Sequence, residues 1–503
     1  MFECLMQLWP QSVVTQALVV GAVIGVIAYN LFKKRYNLPP GPTGWPLIGN
    51  LLAIRGGLLF RKFRDWSKTY GPVMKIQMGN RPAIVLSRID VVTEALLTRQ
   101  ADLAGRPDTF VATTLTEGGK DIVQASYGPT WKMHRKIASK ALRHYLMGEK
   151  LSLKVSQSLK TSTKLMSKEP GAFDPFPYLS LGISNMMTGM LFNKTSQTTD
   201  SEHYKEYVVG IDNMTKEFGD GFLEDAIPLL HLCPTPRFRR VIRLAAQMTD
   251  AIKKEIAAHR KTFNQGEMRD FTDALILAQQ EAEEGDDPIL MSQITNTHMV
   301  MTIFDLVFAG TDTSRGTLRW CLLAMALHPD IQKKVQKEVD SVIDPDLNVH
   351  VSDRDRLPYT DAVIHEVMRM RTVVPLGVPH SALRDTTVGG YDVPKGTMVL
   401  INHDALHFDP DQWEDVNTFK PERFLDSEGK MGPKPESWLP FSAGRRVCLG
   451  ETVAKPEIHL FLAGILRVFT ISLAPGTQHD FEPRSTGGIN SPGTYKIIVK
   501  SRV

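Results

Sequence analysis

Cysteine is scarce in this chain. Its 503 residues include four, Cys4, Cys233, Cys321 and Cys448. None has the paired spacing of a zinc site, and four are too few for a disulfide framework. Scattered, unpaired cysteines suit a reducing compartment better than an oxidising one. Charge of one sign is lacking too: a net charge of +4 is too mild to argue for nucleic acid. No low-complexity tract and no internal repeat occurs, which excludes disordered arrays and solenoids. Length alone suggests about two to four domains. From Pro39 onward, however, nothing reads as a flexible interdomain linker, and that favours a single large domain.

One long apolar run is present. Residues 13–32 read "VVTQALVVGAVIGVIAYNLF", twenty residues without a charge, about enough to cross roughly 30 Å of hydrocarbon. The basic cluster Lys33-Lys34-Arg35 follows the run, whereas a cleaved signal peptide carries its positive charge in front. That order places the N-terminus across the membrane and the remainder in the cytosol. Pro39, Pro40 and Pro42 cannot continue a helix and form a stiff hinge. The expected organisation is an anchor at 1–35, a proline-rich hinge at 36–45 and a body at 46–503.

In the body, "KIQMGNRPAIVLS" (75–87) predicts a hairpin around Gly79-Asn80. Helical periodicity dominates from 131 to about 275, with Pro and Gly breaks between segments. A long apolar helix is expected from about Met291 to Leu327, ended by His328-Pro329. Short strands are expected within 386–402 and at the C-terminal "TYKIIVKSRV". The predicted fold class is mainly α with small β-sheets.

Chemistry concentrates in a few stretches. The long helix contains "AGTDTS", Ala309 to Ser314. Glycine inside a helix costs about 1 kcal/mol relative to alanine, so Gly310 suggests the close approach of something large and flat. Thr313 can turn its hydroxyl onto the carbonyl four residues back. With Asp312 it supplies an acid, an alcohol and a backbone gap, the parts of a proton route. A tolerated buried threonine explains this hexamer about as well. "EVMR" (366–369) places Glu366 and Arg369 on one helix face, and "PERF" offers Arg423 as a second partner for the glutamate, a structural lock if buried. Lys132, Lys136, Lys140 and Arg143 share one face of a helix, with Trp131 and Arg135 one step round. This is either a solvated face or a docking surface for an acidic partner, with Arg135 turned inward to an anion.

"FSAGRRVCLG" (441–450) holds Cys448 among small residues and two arginines. Alone, the cysteine is inert, a nucleophile, or a ligand to something that needs one protein sulfur. Gly444 and Gly450 permit tight backbone whose amides can stabilise a thiolate. Arg446 can pair with a carboxylate on whatever the sulfur binds, and Phe441 can shield it. Haem iron takes one axial cysteine thiolate. One sulfur, two propionates in need of cations, and a helix carrying acid and alcohol account for these features together.

At this point the chain resembles the cytochrome P-450 family, over essentially its whole length. Phe441 to Gly450 matches the family's haem signature at each position that signature fixes. The other landmarks (Trp131/Arg135, Ala309 to Thr313, Glu366/Arg369, the Arg423 segment) follow in the expected order. The resemblance implies a cytochrome P-450 fold, one large haem domain behind an N-terminal membrane anchor helix, with haem b as cofactor. It implies Cys448 as axial ligand and Trp131, Arg135, His380 and Arg446 as propionate partners. Ala309 and Gly310 would lie against the haem, Asp312 and Thr313 would deliver protons to dioxygen, and Glu366, Arg369 and Arg423 would form a structural triad. Implied partners are NADPH–cytochrome P-450 reductase, cytochrome b5, dioxygen, a lipophilic substrate and the endoplasmic reticulum membrane, with the catalytic domain facing the cytosol and no nucleic acid. Pro456, inside the helix after the cysteine, departs from helical expectation and predicts a kink.

"GIDNMTKEF", "RDFTDALI" and "VPLGVPHSA" point within the family to the animal microsomal group of steroid 17-hydroxylases and hydrocarbon- or drug-metabolising enzymes. Val374, Leu376, Val378 and Ala309 are expected to wall an apolar pocket. The leading expectation is a monooxygenase acting on a steroid, 17-hydroxylase-like, with a xenobiotic or polycyclic-hydrocarbon hydroxylase as the alternative. A reductase-independent haem-thiolate isomerase would not need the acid–alcohol pair, and a non-catalytic haem or lipid carrier would need neither that pair nor a basic docking face.

Overall fold

Most of this chain is helical because its apolar residues recur at helical spacing between Pro and Gly breaks. The structure, a computed structural model, describes residues 20–21, 36–46, 48–54, 56–79, 81–145, 148–218, 221–285, 293–484 and 489–502. Packing divides the chain into two units, 1–38 and 39–503. The expected anchor at 13–32 lies outside the described residues except for Val20 and Gly21. Among the described residues no helix is long and apolar enough to cross a membrane.

In the larger unit the principal helices are α1 (Leu59–Tyr70), α2 (Pro129–Tyr145), α3 (Glu149–Met166), α4 (Phe176–Leu191), α5 (Gly210–Phe218), α6 (Pro236–Thr262) and α7 (Phe271–Glu284). They continue with α8 (Asn296–Leu327), α9 (Pro329–Asp340), α10 (Pro358–Met370) and α11 (Glu451–Val468). The hairpin is present as β1 (Val73–Met78) and β2 (Arg81–Leu86), paired antiparallel. The proline segment before it is not free: Lys75 donates its amide to the Pro40 carbonyl at 2.9 Å. A side chain at Gly41 would meet the Lys75 carbonyl oxygen at 2.0 Å, so this segment lies along β1.

Strands β3 (His380–Ser381) and β6 (Met398–Ile401) complete a four-stranded sheet in the order β1-β2-β6-β3, with β2 and β6 parallel. Two small antiparallel ribbons join β4 (Thr386–Val388) to β5 (Tyr391–Val393), and β7 (Phe469–Leu473) to β8 (Ile497–Ser501). Both sets of expected strands are therefore found.

The central element is α8, whose 32 residues span roughly 48 Å. It starts at Asn296 rather than Met291 because Thr295 caps it, accepting the His298 amide while the His298 ring bonds back. Pro329 does not leave a loop after it but opens α9 at the first helical position, where a proline costs nothing. From Leu318 to Met325 helix α8 is buried on nearly every face, as a helix that is apolar all round must be. It packs against α4, α6, α10 and α11. Helix α11 runs continuously through Pro456, so the expected kink does not interrupt it. These four contacts hold α8 and the cysteine loop at fixed positions on either side of an internal space.

Candidate functional site

The cysteine loop is shaped locally. Ser442 and Gly444 take positive φ values of 62° and 72°. The Cys448 amide donates to the Phe441 carbonyl at 3.0 Å, closing the loop before α11 starts. Gly444 is obligatory on two counts, since a Cβ there would stand 2.0 Å from the Leu96 carbonyl oxygen and its φ is left-handed. Gly450 is different: its φ is −85°, and a Cβ would lie 4.0 Å from the Cys448 sulfur, an ordinary contact. Burial holds the Cys448 thiol above its usual value, opposed by the Gly450 and Glu451 amides and the Arg135 charge. A buried sulfur aimed at by amides is poised to bind a cation as thiolate.

Cys448 is nevertheless exposed, and so is Ala309 in the middle of α8. Both open into one internal cavity enclosing about 1540 Å³ of empty space, its mouth included. Of the residues singled out from sequence, Arg135, Ala309, Gly310, Thr313, His380, Phe441, Arg446, Cys448 and Gly450 line it. Thr313 donates its hydroxyl to the Ala309 carbonyl at 2.7 Å, as its position in the helix predicted. Gly310 lines the cavity and also faces α4, where a Cβ would meet the Met187 methyl at 2.5 Å. Its bareness lets α4 and α8 approach.

Three predicted residues are not in the lining. Gly444 faces the Leu96 backbone. Trp131 donates its indole N–H to the Ile122 carbonyl at 2.9 Å and carries the Arg446 and Arg135 guanidiniums over its ring at 4.2 and 5.3 Å. It is a platform for the cations rather than a free donor. Asp312 is 6% exposed and turned away, bonded to Arg315 and to the Thr215 hydroxyl.

One end of the cavity is strongly cationic. Arg446 donates to the Ala104 and Ala125 carbonyls at 2.8 and 2.6 Å. Arg106, which sequence reasoning missed, donates to the Val123 and Pro379 carbonyls at 2.7 and 3.0 Å. Burial pushes Arg446 down to about 8, and the charges of Arg106 and Arg135 push the same way. Arg106 falls to about 10 through burial, with Asp121 opposing and Arg135 adding. His380, on β3, bonds the Leu103 carbonyl at 2.8 Å and is lowered to about 3 by burial and then by the Arg106 charge. Nothing in "GRPD" marks Arg106 in advance. It arrives because Gly105 and Ser381 exchange backbone hydrogen bonds, which brings residues 104–106 to the sheet edge beside His380.

Much of the remaining lining is aliphatic, with the side chains of Ile122, Leu306, Val373, Val374 and Val378 among it. Leu376 is not among the walls and packs beneath the four-stranded sheet. Asp305 is one of its polar members. Its Oδ2 accepts the Ile122 and Val123 amides at 2.7 and 2.9 Å, and burial with the nearby Asp121 charge raises it well above the carboxylate range.

These features fit haem b on structural grounds: a sulfur and a bare helix surface open to one space, with crowded guanidiniums at its edge for which backbone carbonyls are poor substitutes for carboxylates. Away from this site, Glu366 binds Arg369 through two hydrogen bonds of 2.7 and 2.9 Å and Arg423 at 3.2 Å, all three buried.

Comparison with known proteins identifies the family. The family model described as Cytochrome P450 matches residues 39–499. The chain is 33% identical over 501 residues to the steroid 17-alpha-hydroxylase/17,20 lyase of Squalus acanthias, covering 97% of this chain and 96% of that protein. It is 34% identical over 466 residues to Cytochrome P450 1A1 of Rattus norvegicus, at 90% and 87% coverage. Against Cytochrome P450 2U1 of Bos taurus it is 32% identical over 533 aligned positions, at 99% and 95% coverage.

Proposed function

The chain belongs to the cytochrome P450 family of haem b monooxygenases, and we propose that its own reaction is hydroxylation of a C–H bond in a steroid-like lipophile. The observation that carries this reading is the aliphatic wall. Ile122, Leu306, Val373, Val374 and Val378 line the cavity, and the one phenyl ring in its lining, Phe441, belongs to the cysteine loop. Branched aliphatic side chains interdigitate with a puckered alicyclic skeleton, whereas a planar aromatic ligand gains most from ring partners.

Haem b, when bound, supplies the iron that activates dioxygen with electrons originating from NADPH. The protein's part is to hold and to dry the site. Cys448 would hold the iron through its sulfur, supported by the Gly450 and Glu451 amides. Arg106, Arg135, Arg446 and His380 would hold the haem carboxylates, steadied by Trp131 beneath two of the guanidiniums. Thr313, its hydroxyl anchored on Ala309, holds a proton-carrying group at the helix surface. The apolar walls exclude water and orient the substrate's C–H bond.

Electrons would arrive from NADPH–cytochrome P450 reductase, with cytochrome b5 as a second partner, at the exposed face of Lys132, Lys136, Lys140 and Arg143. Lys132 and Arg445 lie over the Tyr127 ring at 4.8 and 5.0 Å, which carries the basic face to the cysteine loop. The apolar run and basic stop of residues 13–35 support a seat in the endoplasmic reticulum membrane with the body in the cytosol. The exposed Leu223, Leu229 and Leu232 suit a lipid surface.

A second reading, hydroxylation of an aromatic foreign compound, is favoured by a chain of ring contacts that runs from Phe304 and Phe308 of α8 to Phe218 of α5 and on to Phe222 beyond it. The test begins with the carbon monoxide difference spectrum of the reduced protein and of Cys448→Ala. A red-shifted Soret band lost in the variant is expected. Binding titrations should then show a steroid shifting the haem spectrum at lower concentration than a planar polycyclic hydrocarbon. The reverse order would replace the steroid with the aromatic reading, and absence of the band from haem-loaded parent would overturn the thiolate-haem assignment.

A further inference from the structure

The aliphatic lining has a gap with a polar group behind it. Val374, Gly377 and Val378 all line the cavity. Gly377 takes a φ of 60°, the left-handed region that glycine enters freely, and it adds no side chain to the wall. The edge of an imidazole stands there instead. A Cβ on Gly377 would lie 3.0 Å from Nε2 and 3.5 Å from Cδ2 of His403. His403 lines the same cavity, and only 2% of it is exposed.

The fold fixes this residue and leaves its ring unused. His403 opens the short helix His403–His407 just past β6. Before it, Asn402 donates to the Phe60 carbonyl at 2.9 Å and accepts the Ala405 amide at 3.2 Å. After it, Asp404 pairs with Arg64 at 2.9 Å. The ring's Nδ1 is enclosed and has no hydrogen-bond partner among the described residues, whereas His380 engages the Leu103 carbonyl through its own Nδ1. Burial lowers His403 to about 4. At His380 the charges of Arg106 and Arg446 add to burial; at His403 no charge does. His403 is therefore a neutral imidazole on which the guanidinium cluster does not act. Such a ring carries one N–H and one lone pair. An N–H is the costlier group to leave enclosed, so the proton belongs on Nε2, which faces the gap.

We propose that His403 is a specificity contact: its Nε2–H, reached through the gap at Gly377, donates a hydrogen bond to an uncharged acceptor oxygen, a ketone or hydroxyl, on the otherwise lipophilic substrate. The proposal rests on the monooxygenase reading above and holds for an alicyclic or an aromatic skeleton. A haem carboxylate is the poorer match, because charged oxygens go to the charged donors Arg106, Arg135 and Arg446. A buried polar group that only the right ligand satisfies discriminates against an analogue lacking the oxygen. Holding one end of the substrate also restricts which of its C–H bonds can react.

The experiment uses the full haem-loaded protein and two matched ligand pairs, pregnanedione with pregnane and fluorenone with fluorene. Within a pair the skeleton is shared and the ketone oxygen is not. Binding is titrated through the haem spectrum in the parent, His403→Leu, His403→Gln and Gly377→Ala. The parent should favour the ketone in at least one pair. In His403→Leu that preference should fall about fivefold, as for the loss of one hydrogen bond, while affinity for the hydrocarbon holds. His403→Gln carries an amide N–H at about the place of Nε2 and should keep most of the preference. Gly377→Ala closes the gap with a methyl group and should lose it with the ring still present, so the test stands if His403→Leu folds poorly.

A second readout is apo-protein unfolding. The fold gives Nδ1 no partner, so His403→Leu should leave stability unchanged or raise it. Equal weakening of ketone and hydrocarbon in His403→Leu, or no ketone preference in the parent, overturns the proposal. So does faster haem transfer from His403→Leu to an acceptor globin with the preference intact, which would assign the ring to a haem carboxylate. Failure of the monooxygenase reading is seen separately, as the missing Soret band of the parent, and failure of the steroid reading as tighter binding of the aromatic pair.

Discussion

The body buries arginine in two places and balances it differently in each. Around Glu366 the account closes internally: the carboxylate meets Arg369 and Arg423, the Lys420 amide donates to it at 3.0 Å, and the remaining Arg369 donor goes to the His407 and Val416 carbonyls at 2.9 Å. At the cavity edge, Arg106, Arg135 and Arg446 crowd together around His380, and burial with mutual repulsion drives Arg446 down to about 8. A cluster that exists to hold the fold supplies its own counter-charges. One that exists to hold something else leaves them to the ligand. The difference separates structural from functional arginine without knowing the ligand.

Breaking the closed cluster should have the largest effect. Glu366→Gln strands two buried guanidiniums, and loss of one partner of a buried pair costs about 3–5 kcal/mol. Denaturant unfolding of the full-length protein should show that loss, with haem loading falling alongside. A change below about 1 kcal/mol would mean that the cluster is as dispensable as a surface pair.

The open cluster should answer differently. Arg446→Gln removes one of three crowded cations, so apo-protein stability should hold or rise, while retention of haem weakens by about 1.5–3 kcal/mol for a lost charged hydrogen bond. Rates of haem transfer to an acceptor globin, set beside apo-protein unfolding, separate the two effects. If Arg446→Gln destabilises the apo-protein as Glu366→Gln does, the contrast between the clusters fails.

The smallest effect belongs to charge that is not buried at all. The paired change Lys136→Glu and Lys140→Glu, on the exposed face of α2, should slow electron delivery from the reductase a few-fold at low salt and converge with the parent at high salt. Stability should stay within about 0.5 kcal/mol. Equal slowing at all salt concentrations would remove α2 from the docking surface.

Much of this was legible in the chain. The hairpin at 73–86, the C-terminal end of the long helix and the tight cysteine loop all follow from neighbours in sequence, since turn residues, caps and positive φ act over a few positions. Thr313 finding the Ala309 carbonyl is likewise a property of one helix. Other assignments were beyond local reading. Asp312 is bonded to Arg315 of its own helix and to Thr215 of α5, and Arg315 also pairs with Asp212, a network closed across two helices. Gly310 lines the cavity, and that it also faces Met187 of another helix lay beyond local reading.

By itself, then, the sequence determined what short-range geometry decides: where helices begin and end, which loop can cradle a sulfur, and from its ordered motifs the family. Only the tertiary structure decided which buried charges are paired, which carboxyl keeps its proton and which arginines lack a carboxylate. Those states depend on desolvation and on Coulomb sums over side chains up to several hundred residues apart, and such sums exist only once the chain has folded.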